Sequence, residues 1–259
     1  MRQLFQQMIS AMPLWMRDFL TRATSGQLLP LLVTIRIGGL ILAGLAMWGF
    51  AEIADQVLEQ ESHSMDTAIL LLLKSWHTPF LERVMLSFTF VGEPSSLLVV
   101  SVLIGIWLLI ERRYKEATTI VIAAAGSGAL NYWLKELFAR SRPQLWERVV
   151  DVQHYSFPSG HAMVSMVVYG IIGYLLSTHF PHWSGLIISS TLLLVVGIGL
   201  SRLYFGVHWP TDVIAGFAAG LVWLIACIFS LEIWHEFRDE QSRLKDKSLL
   251  PSSPAETLM

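Results

Sequence analysis

Six segments of this chain carry enough continuous apolar sequence to cross a bilayer, and nothing else in it restricts the architecture as strongly. Lipid offers no partner for backbone N–H and C=O groups, so a crossing segment must satisfy them internally, as a helix of roughly 20 apolar residues does. The segments run about Leu31 to Ile53, Pro94 to Ile110, Ala117 to Phe138, His161 to Leu176, Gly185 to Leu203 and Thr211 to Ile233. They predict an all-α, polytopic membrane helix bundle with six transmembrane helices. Composition agrees, at 54% hydrophobic and only 15% charged residues with a mean hydropathy of +0.55, whereas about a quarter of a soluble domain is charged.

The expected organisation is an N-terminal amphipathic, interfacial segment over residues 1–27, a six-span domain over 28–235 and a polar cytoplasmic tail over 236–259. Leu4, Phe5, Met8 and Ile9, then Trp15, Met16, Phe19 and Leu20, recur at helical spacing with arginines between them, as in a helix lying on a membrane surface. A helix packed on the bundle fits that pattern equally well. No removable signal peptide is read there. From Arg238 the tail is polar and is expected to be poorly ordered. Ala68 to Val91 is apolar in patches and predicts a shorter interfacial helix that breaks at Gly92 and Pro94 before the second span.

Charge and cysteine content exclude several classes. Eighteen basic residues against 20 acidic ones give no reason to expect nucleic acid as a partner. A single cysteine, Cys227 in an apolar run, supports neither a disulfide framework nor a cysteine metal site. His179 and His182 flank Pro181 without an acidic neighbour, so a solvated loop is favoured there over a metal pair. Gly216 and Gly220, or Gly38, Gly39 and Gly44, have spacings that let helices approach closely and leave a homodimer open.

Orientation follows from lysine and arginine in short loops. Arg2, Arg17 and Arg22, then Arg112, Arg113 and Lys115, then Arg238, Arg243, Lys245 and Lys247 share one side if there are six spans. Both termini are therefore expected in the cytoplasm. The third connection then lies outside although Lys135, Arg140, Arg142 and Arg148 are in or beside it, as basic residues held by a site would be.

Alternating helix direction brings three polar groups to that outer face. They are Lys135, Arg142 and Pro143; Pro158, Ser159, Gly160 and His161; and Ser201, Arg202, His208 and Asp212. Two guanidinium forks and an ammonium describe an anion site suited to phosphate. Ser159 and Gly160, just ahead of a helix, add a hydroxyl and free backbone donors. His208 lies four residues before Asp212, close enough for the carboxylate to take the proton of one ring nitrogen and leave the other as a nucleophile. His161 is placed to protonate a leaving oxygen and later to take a proton from water. A bare basic cluster would more simply anchor lipid headgroups, but two histidines and a carboxylate converging on it argue for catalysis. Glu93, beside the Gly92 and Pro94 break, either approaches this site or caps a helix.

"KELFARSRP" (Lys135 to Pro143), "PSGH" (Pro158 to His161) and "SRLYFGVHWPTD" (Ser201 to Asp212) resemble the three signature motifs of the type 2 phosphatidic acid phosphatase (PAP2) superfamily, complete and in order. The resemblance implies a PAP2/haloperoxidase-like core and a metal-independent phosphatase that needs no cofactor and works through a phosphohistidine. Carried over, Lys135, Arg142 and Arg202 bind phosphate with help from Ser159 and Gly160, His161 is acid and base, His208 is the nucleophile and Asp212 orients it. The implied partners are the lipid bilayer and a lipid phosphate such as phosphatidic acid, phosphatidylglycerol phosphate or undecaprenyl diphosphate. The implied location is a bacterial inner or plasma membrane, with the site at its outer face. Two other readings share the motifs. One is vanadate-dependent halide oxidation, which occurs in soluble relatives and which six apolar spans argue against. The other is a non-enzymatic protein that binds or moves lipid phosphate, and it should lack a catalytic histidine.

Overall fold

The computed structural model describes residues 28–146 and 154–249, with side-chain environments for those between 36 and 236. The amphipathic segment expected over residues 1–27 lies outside the described residues. The chain divides into two compact units, residues 1–44 and 45–259. Of the first unit, the described part is the beginning of helix α1 (Leu28–Leu58).

Everything else in the described structure is helix and short connection. Helices α2 (His63–Lys74) and α3 (Pro79–Gly92) precede α4 (Pro94–Ile110), α5 (Tyr114–Phe138), α6 (Gly160–His179), α7 (Ser184–Tyr204) and α8 (Pro210–Leu249), and one 3₁₀ turn, Pro181–Trp183, leads into α7. Thr78 caps α3 by accepting the Leu81 N–H at 3.2 Å, with Pro79 at the first helical position. The break expected at Gly92 and Pro94 is present, and α3 and α4 are bent by 53° about Glu93.

Among the described residues four helices are long and apolar enough to cross a membrane, or five if the bent α3–α4 pair counts as one crossing. That is fewer than six because α5 does not join them. Its inward residues include Glu116, Thr119, Ser127 and Asn131, which are buried in the bundle and lower its apolar character, while Val121, Ile122 and Trp133 face outward. Exposed Leu98, Leu103, Leu193 and Ile214 on other helices extend this outer apolar surface. Water would not tolerate so continuous an apolar surface, and lipid does. The chain is a multi-pass membrane protein.

Helix α6 is the centre of the bundle. It packs on α5, α7 and α8, and Met163, Val167 and Ile171 are fully buried there. Gly216 and Gly220 face α6 of the same chain rather than a second copy. A Cβ on Gly216 would meet the Ser159 carbonyl oxygen at 2.7 Å, and one on Gly220 would meet that of Met163 at 2.7 Å. The small-residue spacing is therefore used inside the bundle. Gly216→Ala must push α8 away from backbone, which cannot rotate aside, and is expected to cost about 1–3 kcal/mol. A lowered melting temperature in detergent, with weaker activity because Ser159 moves, checks this.

Helix α8 runs unbroken past residue 235 to Leu249. The segment expected to be poorly ordered is rich in Glu, Gln, Lys and Arg, which are good helix formers, so helix propensity carries α8 into the polar sequence.

Candidate active site

Four helix ends converge on one face: the C-termini of α5 and α7 and the N-termini of α6 and α8. Ala139 ends α5 in a left-handed conformation (φ 44°), with its N–H on the Lys135 carbonyl at 2.9 Å, and turns the chain so that Arg140 and Arg142 return over the bundle. Ser159 precedes α6, and its N–H reaches the Asp212 carbonyl at 2.9 Å, locking the α6 and α8 termini together. Gly160 is required by close packing, because a Cβ there would stand 2.8 Å from Asn131 Oδ1.

His208 lies in the connection between α7 and α8 and is 2% exposed. Its Nδ1 is 3.3 Å from Asp212 Oδ2, which also accepts the Trp209 backbone N–H at 2.9 Å. Its Nε2 is 3.1 Å from Arg142 Nη1. Arginine can only donate, so the Nε2 lone pair must accept and the ring proton belongs on Nδ1, donated to Asp212. Burial first, then the charges of Arg142, Lys135, Arg202 and His161, hold the His208 pKa well below the usual 6.5. Both effects favour the neutral ring.

Arg142 is held by the carbonyls of Val207, His154 and Tyr155 at 2.8, 2.9 and 3.2 Å. Lys135 Nζ donates to the Tyr155 carbonyl. His154 and Tyr155 thus serve the site through their backbone. Arg202 is 1% exposed; its Nη1 reaches Thr89 Oγ1 at 3.4 Å, while its Nε has no protein partner. Ser159 Oγ is also buried without a partner. Glu93, at the N-terminus of α4, makes no side-chain cap; its Oε1 lies 3.3 Å from His161 Nε2, within ion-pair range but poorly aligned for a hydrogen bond. Of the two readings the sequence left for Glu93, the structure gives the approach to the site.

Sequence reasoning did not assign Arg140 or Asp66. Arg140 Nη1 donates to Asp212 Oδ1 at 2.6 Å and its Nη2 to Asp66 Oδ2 at 2.8 Å, and both carboxylates are fully buried. In the sequence Arg140 stands out only as a basic residue on the unexpected side of the membrane, and that is the available signal.

Lys135, Arg142, Gly160, His161, Arg202 and His208 share one end of a cavity of about 1030 Å³, and Asp212 stands behind His208. Beyond them the cavity is walled by apolar and small residues of α4 and α5, including Leu98, Val102 and Val121. The arrangement can take an anion at a cationic end and a hydrocarbon chain along the rest.

A phosphatidylglycerophosphatase B of Bacillus subtilis is 33% identical over 177 residues, spanning 66% of this chain and 84% of that protein. The PAP2 superfamily model matches residues 116–234. The chain belongs to the PAP2 superfamily. The crystal structure of a transmembrane PAP2-type phosphatidylglycerolphosphate phosphatase from Bacillus subtilis superposes with a TM-score of 0.68 at 30% identity, covering 75% of this chain and 96% of that one. An undecaprenyl-diphosphatase of Sulfolobus acidocaldarius is 34% identical over 121 residues, 44% of this chain and 54% of that protein. The PAP2 match contains all three converging groups, whereas Asp66, Thr89 and Glu93 precede it.

Proposed function

We propose that this membrane lipid phosphatase of the PAP2 superfamily cleaves its substrate in two steps through a phosphohistidine on His208. The observation that carries the reading is the set of buried, unpartnered donors, Ser159 Oγ and Arg202 Nε, beside a neutral histidine at the cationic end of an apolar cavity. Leaving such donors unsatisfied is costly, and phosphate oxygens would satisfy them.

In the first step the His208 Nε2 lone pair bonds to phosphorus as the P–O bond to the lipid breaks, and the leaving oxygen takes a proton from His161. In the second, water attacks phosphorus, His161 accepts its proton and the P–N bond breaks. Asp212 holds the proton on Nδ1 and steadies the charge the ring acquires. Lys135, Arg142 and Arg202, with Ser159 Oγ and the Gly160 N–H, hold the equatorial oxygens, where charge builds up in the transition state. Glu93 Oε1, 3.3 Å from His161 Nε2, places a carboxylate where it can orient the ring.

These cations supply the positive charge that a metal provides in other phosphatases, so chelators are expected to leave the rate unchanged. Activity lost on chelation and restored only by a divalent ion would contradict the scheme. Halide oxidation on bound vanadate is not favoured, since the relatives named above are phosphatases.

The membrane arrangement proposed is six crossings, with α5 as the additional one. At 25 residues it is about 37 Å long at about 1.5 Å per residue, and the bundle covers its polar face. The short-loop charges support cytoplasmic termini and a site at the outer face of a bacterial inner or plasma membrane. Labelling of single cysteines placed in residues 54–62 by an impermeant reagent on intact cells tests the orientation.

Phosphatidylglycerol phosphate is the first substrate to test, because the relative named for it is matched over most of its length. Undecaprenyl diphosphate comes second, its namesake being matched over about half, and phosphatidic acid third. Phosphate release from the three lipids in parallel by purified protein is the test. A strong preference identifies the pathway, and no release from any of them would favour a protein that only binds lipid phosphate.

A further inference from the structure

We infer that Asp66, on α2, is a positioning residue for this reaction, acting through Arg140 and Thr211 to hold Asp212 in register with His208. The inference rests on reading His208 as the nucleophile.

Asp66 is fully buried, where a carboxylate survives only with strong partners. Its Oδ1 accepts the Thr211 backbone N–H at 3.1 Å, and its Oδ2 accepts the Thr211 hydroxyl at 2.7 Å and Arg140 Nη2 at 2.8 Å. Thr211 stands in the first turn of α8, where N–H groups lack intrahelical acceptors and the helix end favours an anion. Asp66 therefore clamps the backbone immediately before Asp212.

The second hold passes through Arg140. Its Nη1 donates to Asp212 Oδ1 at 2.6 Å and to Thr211 Oγ1 at 2.8 Å, and its Nη2 also reaches Ser62 Oγ at 3.3 Å. The planar guanidinium fixes the angle between the two carboxylates in a way a lysine could not. Asp212 then has both oxygens committed, Oδ1 to Arg140 and Oδ2 to Trp209 N–H and His208 Nδ1, so its plane cannot rotate away from the imidazole.

Charge points the same way. One cation is shared by two carboxylates. Without Asp66, Arg140 would pair with Asp212 alone and neutralise the group that must steady His208 when phosphorylation makes the ring positive. Neither Asp66 nor Arg140 lines the cavity, so neither touches the substrate. Their influence should appear in turnover and not in binding.

The experiment compares wild type, Asp66→Asn and His208→Ala on a short-chain phosphatidic acid in detergent, reading kcat, KM and competitive inhibition by inorganic phosphate. Asp66→Asn is expected to lower kcat about tenfold or more, the loss of one charge-assisted hydrogen bond, with KM and phosphate inhibition within about twofold. Wild-type kcat in Asp66→Asn, or a parallel loss of kcat and phosphate affinity, would overturn the inference. Full activity in His208→Ala would instead overturn the reading beneath it. If Asp66→Asn does not yield monodisperse protein, Arg140→Lys keeps the charge but cannot span both carboxylates, and the same outcomes decide.

Discussion

Replacing His208 with Ala is expected to lower turnover by about 10⁴-fold or more, as removal of a covalent nucleophile does, while the purified protein keeps its helical content and melting temperature within a few degrees. The fixed polar contacts of His208 are Asp212 and Arg142. Those two retain other partners when it is gone, so the loss should be chemical more than structural. Phosphate release from the preferred lipid and circular dichroism on the same preparation check both halves. A variant that is folded and still turns over would remove His208 from the mechanism. The pH dependence carries the same signature. The folded pKa of His208 is depressed below 6.5 by burial and the surrounding cations, so the unfolded chain takes up this proton first. The stability contributed by the neutral ring is therefore complete above about 6.5 and is lost as pH falls toward the lower folded value. Wild type should lose melting temperature between about pH 7 and pH 5 more steeply than His208→Ala, and its acid limb of kcat/KM should not be centred at a free-imidazole value.

The fold and site differ in how far they could be read from sequence, and the difference has a physical pattern. Convergence of Lys135, Arg142, His161, Arg202 and His208 was legible because alternating helix direction alone dictates which ends meet, and the structure places all five on one cavity. The His208 and Asp212 pair was legible because its partners are four residues apart. Asp66 was not, since it lies 74 residues from Arg140 and no local period links an acidic residue on α2 to a basic one after α5. Gly216 and Gly220 showed that α8 would be approached closely, but spacing on one helix cannot name the partner, and α6 of the same chain takes the place left open for a second copy. The crossing count blurred at α5 for a related reason: hydropathy averages around a helix, while burial of Thr119, Ser127 and Asn131 is confined to one face. Polar composition beyond residue 235 predicts exposure to water, which an α8 that continues to Leu249 also permits.

Asp212→Asn should be nearly as damaging as loss of the nucleophile, about 10³- to 10⁴-fold in kcat, although the substitution changes no heavy-atom shape. The reason is that both carboxylate oxygens are met by donors. Arg140 Nη1 stands 2.6 Å from Oδ1, and the Trp209 N–H stands 2.9 Å from Oδ2, on the same side as His208 Nδ1. An amide has one acceptor and one donor end, so it cannot suit both positions. With its NH₂ toward Arg140, two donors oppose each other and a buried guanidinium loses an anionic partner. With its NH₂ toward Trp209 and His208, it collides with the backbone donor and offers a proton to Nδ1, which drives the ring proton to Nε2. That nitrogen would then face Arg142 as donor against donor and could not attack phosphorus. The two orientations fail differently, the first by removing the negative charge that steadies the phosphorylated ring and the second by turning the Nε2 lone pair into a donor, while Lys135, Arg142 and Arg202 still hold phosphate in both. Inhibition by inorganic phosphate should accordingly stay within a fewfold of wild type while single-turnover labelling of the enzyme by substrate disappears. Labelling at the wild-type rate in Asp212→Asn would mean that Asp212 does not set the tautomer of His208.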